Sequence, residues 1–196
     1  FDEIQKFPRA REAVKYLVQD GRFDIIETGS LISIKENVQN ITIPSEERML
    51  KMYPIDFEEF LIAKNEELLL DYIHDCYKNK VPLEQSLHAK TMHIFREYML
   101  VGGMPQAVQA YVDGKNFSFI DKVKRGIIDL YIDDFKKIDD SGLIGKMYKS
   151  IPSQLATQKK RYVISTATKK RTIQKDIERL SDLLDSKTVI PCYNTR

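Results

Sequence analysis

Asp2 and Glu3 stand side by side, directly after the apolar Phe1 and ahead of a helical stretch. Adjacent carboxylates at the end of an apolar run suit phosphoryl-transfer chemistry. The first can hold Mg²⁺, mostly through water, because that ion keeps much of its hydration shell. The second can orient and deprotonate an attacking water. A second polar cluster, Thr28-Gly29-Ser30, follows the run Phe23–Glu27. Its hydroxyls can hydrogen-bond a terminal phosphate or the attacking water, and such positioning is most of what this chemistry asks of a protein. Each cluster also has a bland alternative. An acidic pair before a helix is favoured there by the helix dipole, and a polar turn uses Gly29 for its backbone freedom.

The elements that must position these residues are legible around them. Phe1–Ile4 has the character of a strand end, and Pro8 suits a first helical turn, where its missing N–H costs nothing. Ala10, Ala13, Val14, Leu17 and Val18 repeat at helical spacing, and Gly21 closes that helix. Phe23–Glu27 is β-prone. The order strand, helix, strand places both polar clusters at the carboxyl ends of strands, where ligands of open α/β sheets bind. Residues 35–46 read as an exposed loop around a short edge segment, Ile41–Ile43, and Met49–Tyr53 as a further strand closed by Pro54. Asp56 and Glu59 have the spacing of a capping box. From there to about residue 138 only helices are expected: one from Phe57, then His88–Val101, Met104–Val112 and Phe117–Lys137, punctuated by Gly102-Gly103 and Gly114.

The last segment changes character. Leu143–Ile151 and Ser153–Ala156 read as two short helices, Arg161–Ser165 as a strand, Lys169–Asp185 as an amphipathic helix, and Val189–Tyr193 as a second strand. That is the skeleton of a winged helix-turn-helix. The chain's net charge of +2 conceals an asymmetry: residues 151–196 carry +6 and residues 1–150 carry −4. Lys159, Lys160, Arg161, Lys169, Lys170, Arg171, Lys175 and Arg179 surround the last helix. Such a surface would neutralise phosphates and release counterions, which points to duplex DNA as a partner through 159–179. Thr168, Thr172 and Gln174 stand where base edges would be read. The alternative is a packing module whose basic face is merely solvated. Aromatic residues are sparse there, which counts against single strands.

Composition excludes little. The 196 residues are 42% apolar and 31% charged, ordinary for a soluble protein. No apolar run approaches the ~18 residues of a membrane helix. Cys76 and Cys192 lack metal-type spacing and read as reduced thiols of a cytoplasmic protein. His74 beside Cys76, and His88 with His93, lack a third ligand nearby and carry no metal site.

Four segments taken in order carry a resemblance: Phe-Asp-Glu-Ile-Gln-Lys-Phe-Pro-Arg-Ala at 1–10, Glu-Thr-Gly-Ser-Leu at 27–31, Tyr-Pro-Ile-Asp-Phe-Glu-Glu-Phe-Leu at 53–61 and Val-Gly-Gly-Met-Pro at 101–105. The chain resembles prokaryotic AAA-family (AAA+) P-loop ATPases that carry a C-terminal domain of unknown function. The resemblance implies a Walker B pair at Asp2 (Mg²⁺) and Glu3 (catalytic base), and a sensor region at Thr28 and Ser30. It implies ATP and Mg²⁺ as cofactors, and nucleotide sites near the subunit interfaces of a homo-oligomer. Gly102, Gly103 and Pro105 would be structural residues of a helical lid. Arg9 and Arg11 are open between an arginine finger and a solvated helix face.

One departure is as telling as the matches. A Walker A loop, whose backbone N–H groups and Lys hold the phosphates, is absent from these residues. The nearest look-alike, Gly142-Leu143-Ile144-Gly145-Lys146-Met147, has too few residues between its glycines and a Met where Ser or Thr should bind Mg²⁺. The chain therefore reads as an internal fragment, inactive alone, of an ATP-hydrolysing parent. The expected fold is α/β and α-rich. Residues 1–54 form the C-terminal part of a P-loop NTPase core, 55–115 a helical lid, and 116–196 a long helix plus a winged-helix-like module. The competing reading is a DNA-binding or protein-docking winged helix without catalysis. No membrane partner is expected.

Overall fold

The structure, a computed structural model, describes residues 1–4, 7–29, 48, 50–158, 161–171 and 173–193. These fall into two compact units, one of residues 50–130 and one of residues 1–49 with 131–196. The described residues are rich in helix and form no regular strand.

In the first unit, helix α2 (Phe57–Ala63) starts where the sequence places it. Asp56 accepts a hydrogen bond from the Glu59 backbone N–H at 2.9 Å, and the Glu59 carboxylate accepts one from the Asp56 N–H at 3.0 Å. This reciprocal cap satisfies two donors that a helix start otherwise leaves open. Helices α3 (Glu67–Asn79), α4 (Gln85–Val101) and α5 (Pro105–Val112) pack around α2, and α6 (Phe117–Ile138) contributes Ile120 to the same core. Phe60 and Leu61 are fully buried at its centre, against Leu69, Ile94, Val101 and Val108.

Gly102 and Gly103 end α4 at a close crossing of two chain segments. Gly102 has φ 78°, a left-handed value that glycine adopts without strain. A Cβ on Gly103 would lie 2.1 Å from the Ile55 carbonyl oxygen. The Ile55 N–H donates to the Gly103 carbonyl at 2.8 Å, and the Tyr98 hydroxyl donates to the Ile55 carbonyl at 2.9 Å. The structural role expected for this pair is thus to let the chain entering α2 lie directly on the end of α4.

The second unit contains α1 (Pro8–Asp20), the C-terminal part of α6, and α7 (Leu143–Leu155), α8 (Ile164–Thr168) and α9 (Gln174–Asp185). Phe135, Ile144, Met147 and Leu183 form a small core, flanked by Tyr131, Tyr148, Tyr162, Ile164 and Ala167. Four expectations are corrected here. The two short helices at 143–156 are one helix that accommodates Pro152 in its last turn, where Ser153 Oγ donates to the Ser150 carbonyl at 2.9 Å. The strand expected at Arg161–Ser165 does not form. Ile164 instead opens a helical turn, Ile164–Thr168, in which Ile164 and Ala167 pack against the core of Phe135, Ile144, Met147 and Leu183. Helix α9 starts at Gln174 rather than Lys169, since the chain turns at Lys169 (φ 55°) and Ile173 is extended with its N–H on Asp176 Oδ2 at 3.2 Å. Val189–Tyr193 is likewise not a strand, and the expected edge segment at 41–43 lies outside the described residues.

Candidate functional site

Phe1–Ile4 and Phe23–Glu27 are the two segments flanking α1 from which strands were expected. Neither is long enough in paired backbone to form a regular strand, yet they run side by side in parallel register. The Phe1 nitrogen donates to the Ile26 carbonyl at 2.8 Å, and the Thr28 N–H donates to the Phe1 carbonyl at 2.9 Å. This is the bonding pattern of a parallel pair, with Phe1 opposite Glu27. Asp2 therefore faces Thr28, on the same side of the pair. Thr28 Oγ1 indeed donates to Asp2 Oδ1, which also accepts the Glu3 N–H at 3.1 Å. The ladder then slips: the Thr28 carbonyl takes its hydrogen bond from Ile4 rather than Glu3, at 3.0 Å. Glu3 absorbs the extra residue with φ 53°. A left-handed, non-glycine residue at a bulge re-aims a side chain, a device common beside active sites.

The structure thus brings together three of the four residues singled out from the sequence. Asp2 and Thr28 touch, Glu3 follows at the bulge, and Ser30 lies outside the described residues. Asp2 is exposed, and its Oδ2 takes no hydrogen bond from the described residues, which suits a carboxylate that holds Mg²⁺ through water. The arginines left open separate clearly. Arg9 is exposed, whereas Arg11 is 3% exposed, with Nε 3.6 Å from Glu27 Oε2. An arginine turned into its own chain cannot reach a neighbouring subunit's nucleotide.

The basic C-terminal face is thinner than its sequence. Arg179, counted among the residues around the last helix, is internal. Its Nε donates to Asp139 Oδ1 and its Nη1 to Asp176 Oδ1, both at 3.1 Å, while Asp176 is fully buried. Burial raises the Asp139 pKa, but hydrogen bonds from Ser141 and Arg179 outweigh it and hold the carboxyl below its usual range. Lys170 leans on the same cluster, 3.7 Å from Asp176. Lys169, Lys170, Arg171 and Lys175 are exposed, the first three in the turn before α9. On α9 itself Lys175 shares the outer surface with Glu178 and Asp185. Lys159, Lys160 and Thr172 lie outside the described residues. The look-alike at Gly142 follows a helix and opens α7, so it lacks the strand that a phosphate loop requires.

Sequence reasoning missed a third polar cluster. Lys64 Nζ lies 2.5 Å from Glu97 Oε2 and 3.0 Å from the Tyr111 hydroxyl, tying the end of α2 to α4 and α5. Partial burial works against both charges, but their mutual hydrogen bonding raises the Lys64 pKa and lowers that of Glu97. It packs within the helical unit.

Among the described residues no group of three or more His, Cys, Asp or Glu is placed to hold a metal ion by itself, and no helix is long and apolar enough to cross a membrane. Cys76 and Cys192 are free thiols, the first buried and the second exposed.

Comparison with known proteins adds two matches. A family model described as an AAA domain matches residues 1–61, and one described as a domain of unknown function (DUF8612) matches residues 92–194. No curated protein and no solved structure matches the chain. The first match supports an AAA-type ATPase region that includes Asp2, Glu3 and Thr28. The second spans more than half of the sequence, so the chain belongs to the DUF8612 family and joins that domain to an AAA-type region.

Proposed function

We propose that residues 1–30 carry the metal-holding and water-activating half of the ATP site of an AAA-family ATPase. In this reading Asp2 is the Walker B aspartate that holds Mg²⁺ through water. Glu3 is the base that activates the attacking water, and Thr28, with Ser30, is the sensor. Residues 1–54 are then the C-terminal part of the ATPase core, 55–115 its lid, and 116–196 a long helix with a winged-helix-like module. The observation that carries the reading is the hydrogen bond from Thr28 to Asp2 across a parallel pair. A sensor hydroxyl in contact with the metal-holding carboxylate can report the state of the phosphate on one side to the metal on the other. The match of residues 1–61 to an AAA domain supports the same reading.

Bound Mg²⁺ would neutralise charge on the phosphates and leave the chain's own groups to position water. Asp2 has an exposed carboxylate, with one oxygen fixed by Thr28 and the Glu3 N–H. Glu3 sits one residue further on, with its direction set by its unusual backbone. These 196 residues contain no phosphate-gripping loop, so they are not expected to turn over ATP by themselves. The test is the gene's reading frame upstream of Phe1. A G-x-x-x-x-G-K-[ST] motif roughly 40–70 residues before it supports the reading, and its absence removes it.

A second reading, a DNA-binding module through 159–179, is favoured by the exposed turn Lys169-Lys170-Arg171 between α8 and α9. It predicts duplex binding that weakens steeply with salt and is lost when Lys169 and Lys170 become Glu. Absent or salt-insensitive binding returns the turn to a solvated surface.

A further inference from the structure

Among the described residues of the segment 1–29, three are buried: Ile4, Val14 and Arg11. That an arginine belongs to so small a set is the observation of interest. Its guanidinium stays charged in any environment a protein offers, so it is buried here as a cation. An anion lies beside it: the Glu27 carboxylate is 3.6 Å away, with side-chain exposures of 4% and 13%.

Glu27 holds a particular place in the parallel pair. Phe1 donates to the carbonyl before it and accepts from the amide after it, so Glu27 is the residue opposite Phe1. Side chains alternate along an extended segment, so Glu27 faces α1 and Thr28 faces the other side, with Asp2. A slip of one residue would turn Thr28 toward the helix and put Glu27 where Thr28 stands. Three backbone hydrogen bonds oppose that slip. Apolar burial opposes it only in part: Ile4 is buried and Ile25 half-buried, but Phe1, Phe23 and Ile26 are 57%, 65% and 76% exposed. An apolar contact would accept neighbouring registers, whereas a buried cation accepts only the one that presents its carboxylate.

We propose that Arg11 is a positioning residue. By pairing with Glu27 it fixes the register of the parallel pair, and so places the Thr28 hydroxyl on Asp2. Its catalytic consequence rests on the function proposed above; the register lock itself does not. Both segments lie in the AAA-type region, but the lock is made from a helix residue and a residue of the paired segment that carry no part of the phosphate chemistry.

The experiment compares wild type, Arg11→Met, Arg11→Lys and the charge-swapped pair Arg11→Glu/Glu27→Arg. Amide hydrogen exchange is read at Ile4 and Thr28, the two N–H groups of the pairing, with Val108 and Met147 as references in the two cores. ATP turnover is read on the protein encoded by the complete reading frame. Arg11→Met should speed exchange at Ile4 and Thr28 at least tenfold and leave the references unchanged. It should lower kcat about tenfold with KM for ATP within twofold, and Arg11→Lys or the swapped pair should restore a substantial part of both. Unchanged exchange at Ile4 and Thr28 in Arg11→Met overturns the lock, even where wild type hydrolyses ATP and Glu3→Gln does not. Faster exchange that neither Arg11→Lys nor the swapped pair restores also overturns it, since loss of packing alone would give that result. If exchange responds as expected but the complete protein hydrolyses no ATP, the register lock stands and the ATPase reading falls.

Discussion

The hydroxyl of Thr28 donates a hydrogen bond to Asp2 Oδ1, joining residues 26 positions apart. The contact follows from backbone register, since Phe1 opposite Glu27 puts Asp2 opposite Thr28. It gives the Asp2 carboxylate a fixed orientation while leaving the residue exposed. In the protein encoded by the complete reading frame, Thr28→Val keeps the size and removes the donor. Turnover should fall on the order of tenfold or more, chiefly in kcat, while Thr28→Ser stays near wild type. Steady-state kinetics of the two variants checks this.

The crossing of Gly103 and Ile55 makes a sharper structural prediction. A methyl group on Gly103 would meet the Ile55 carbonyl oxygen at 2.1 Å, and that atom is backbone. Gly103→Ala must therefore push the chain entering α2 off the end of α4. It would also weaken the bonds between Ile55, Gly103 and Tyr98. The expected loss is about 2–4 kcal/mol, from overpacking plus damaged hydrogen bonds. Tyr98→Phe, which removes one of those bonds, should cost about 1 kcal/mol. Denaturant unfolding of both variants gives the comparison.

Arg179 and Lys169 carry the same charge in the same stretch of sequence and should behave oppositely. Arg179→Met leaves Asp176 buried without its guanidinium partner, a change that costs about 3–5 kcal/mol. Lys169→Glu changes an exposed turn residue and should alter stability by less than about 0.5 kcal/mol. Equal effects in thermal unfolding would contradict the internal placement of Arg179.

The sequence displays local patterns well and distant partners poorly. The capping box at Asp56 and Glu59 was legible because both halves lie within four residues and depend only on side-chain chemistry. Of the strand, helix and strand expected around Asp2 and Thr28, the helix formed and the two flanking segments pair without becoming regular strands. The contact between Asp2 and Thr28 was not legible, since register depends on which residues pair. Arg179 shows the limit most plainly. Its charge is visible in sequence, but Asp139, 40 residues away, decides that it points inward. Ile164–Thr168 misled because β-prone residues with one small apolar core beside them fold onto it as a helical turn. Arg11 was left open between two exposed roles and has neither, since Glu27 on the adjoining segment draws it inside.

Acid should loosen the helical unit through Glu97. Burial raises its pKa, but hydrogen bonding from Lys64 and Tyr111 outweighs this, and the folded value lies below the unfolded one. The stability from this pairing is therefore present above the unfolded pKa of roughly 4.3 and is lost as pH falls through the folded value. Lys64 titrates far above this range and its folded pKa is raised, so its contribution holds below its unfolded pKa and is lost only in strong alkali. Glu97→Gln should lower stability at pH 7 and flatten the acid limb between about pH 5 and pH 3. Unfolding free energies across that range test the sign.

We propose that Asp2, Glu3 and Thr28 form the catalytic half of an ATP site. The most direct test is Mg²⁺-dependent ATP hydrolysis by the protein encoded by the complete reading frame, measured for wild type and Glu3→Gln, with ATP binding followed in parallel. Wild type should hydrolyse ATP, and Glu3→Gln should lose at least about a hundredfold while retaining ATP binding. Hydrolysis that survives Glu3→Gln, or a complete protein that neither binds nor hydrolyses ATP, would contradict it.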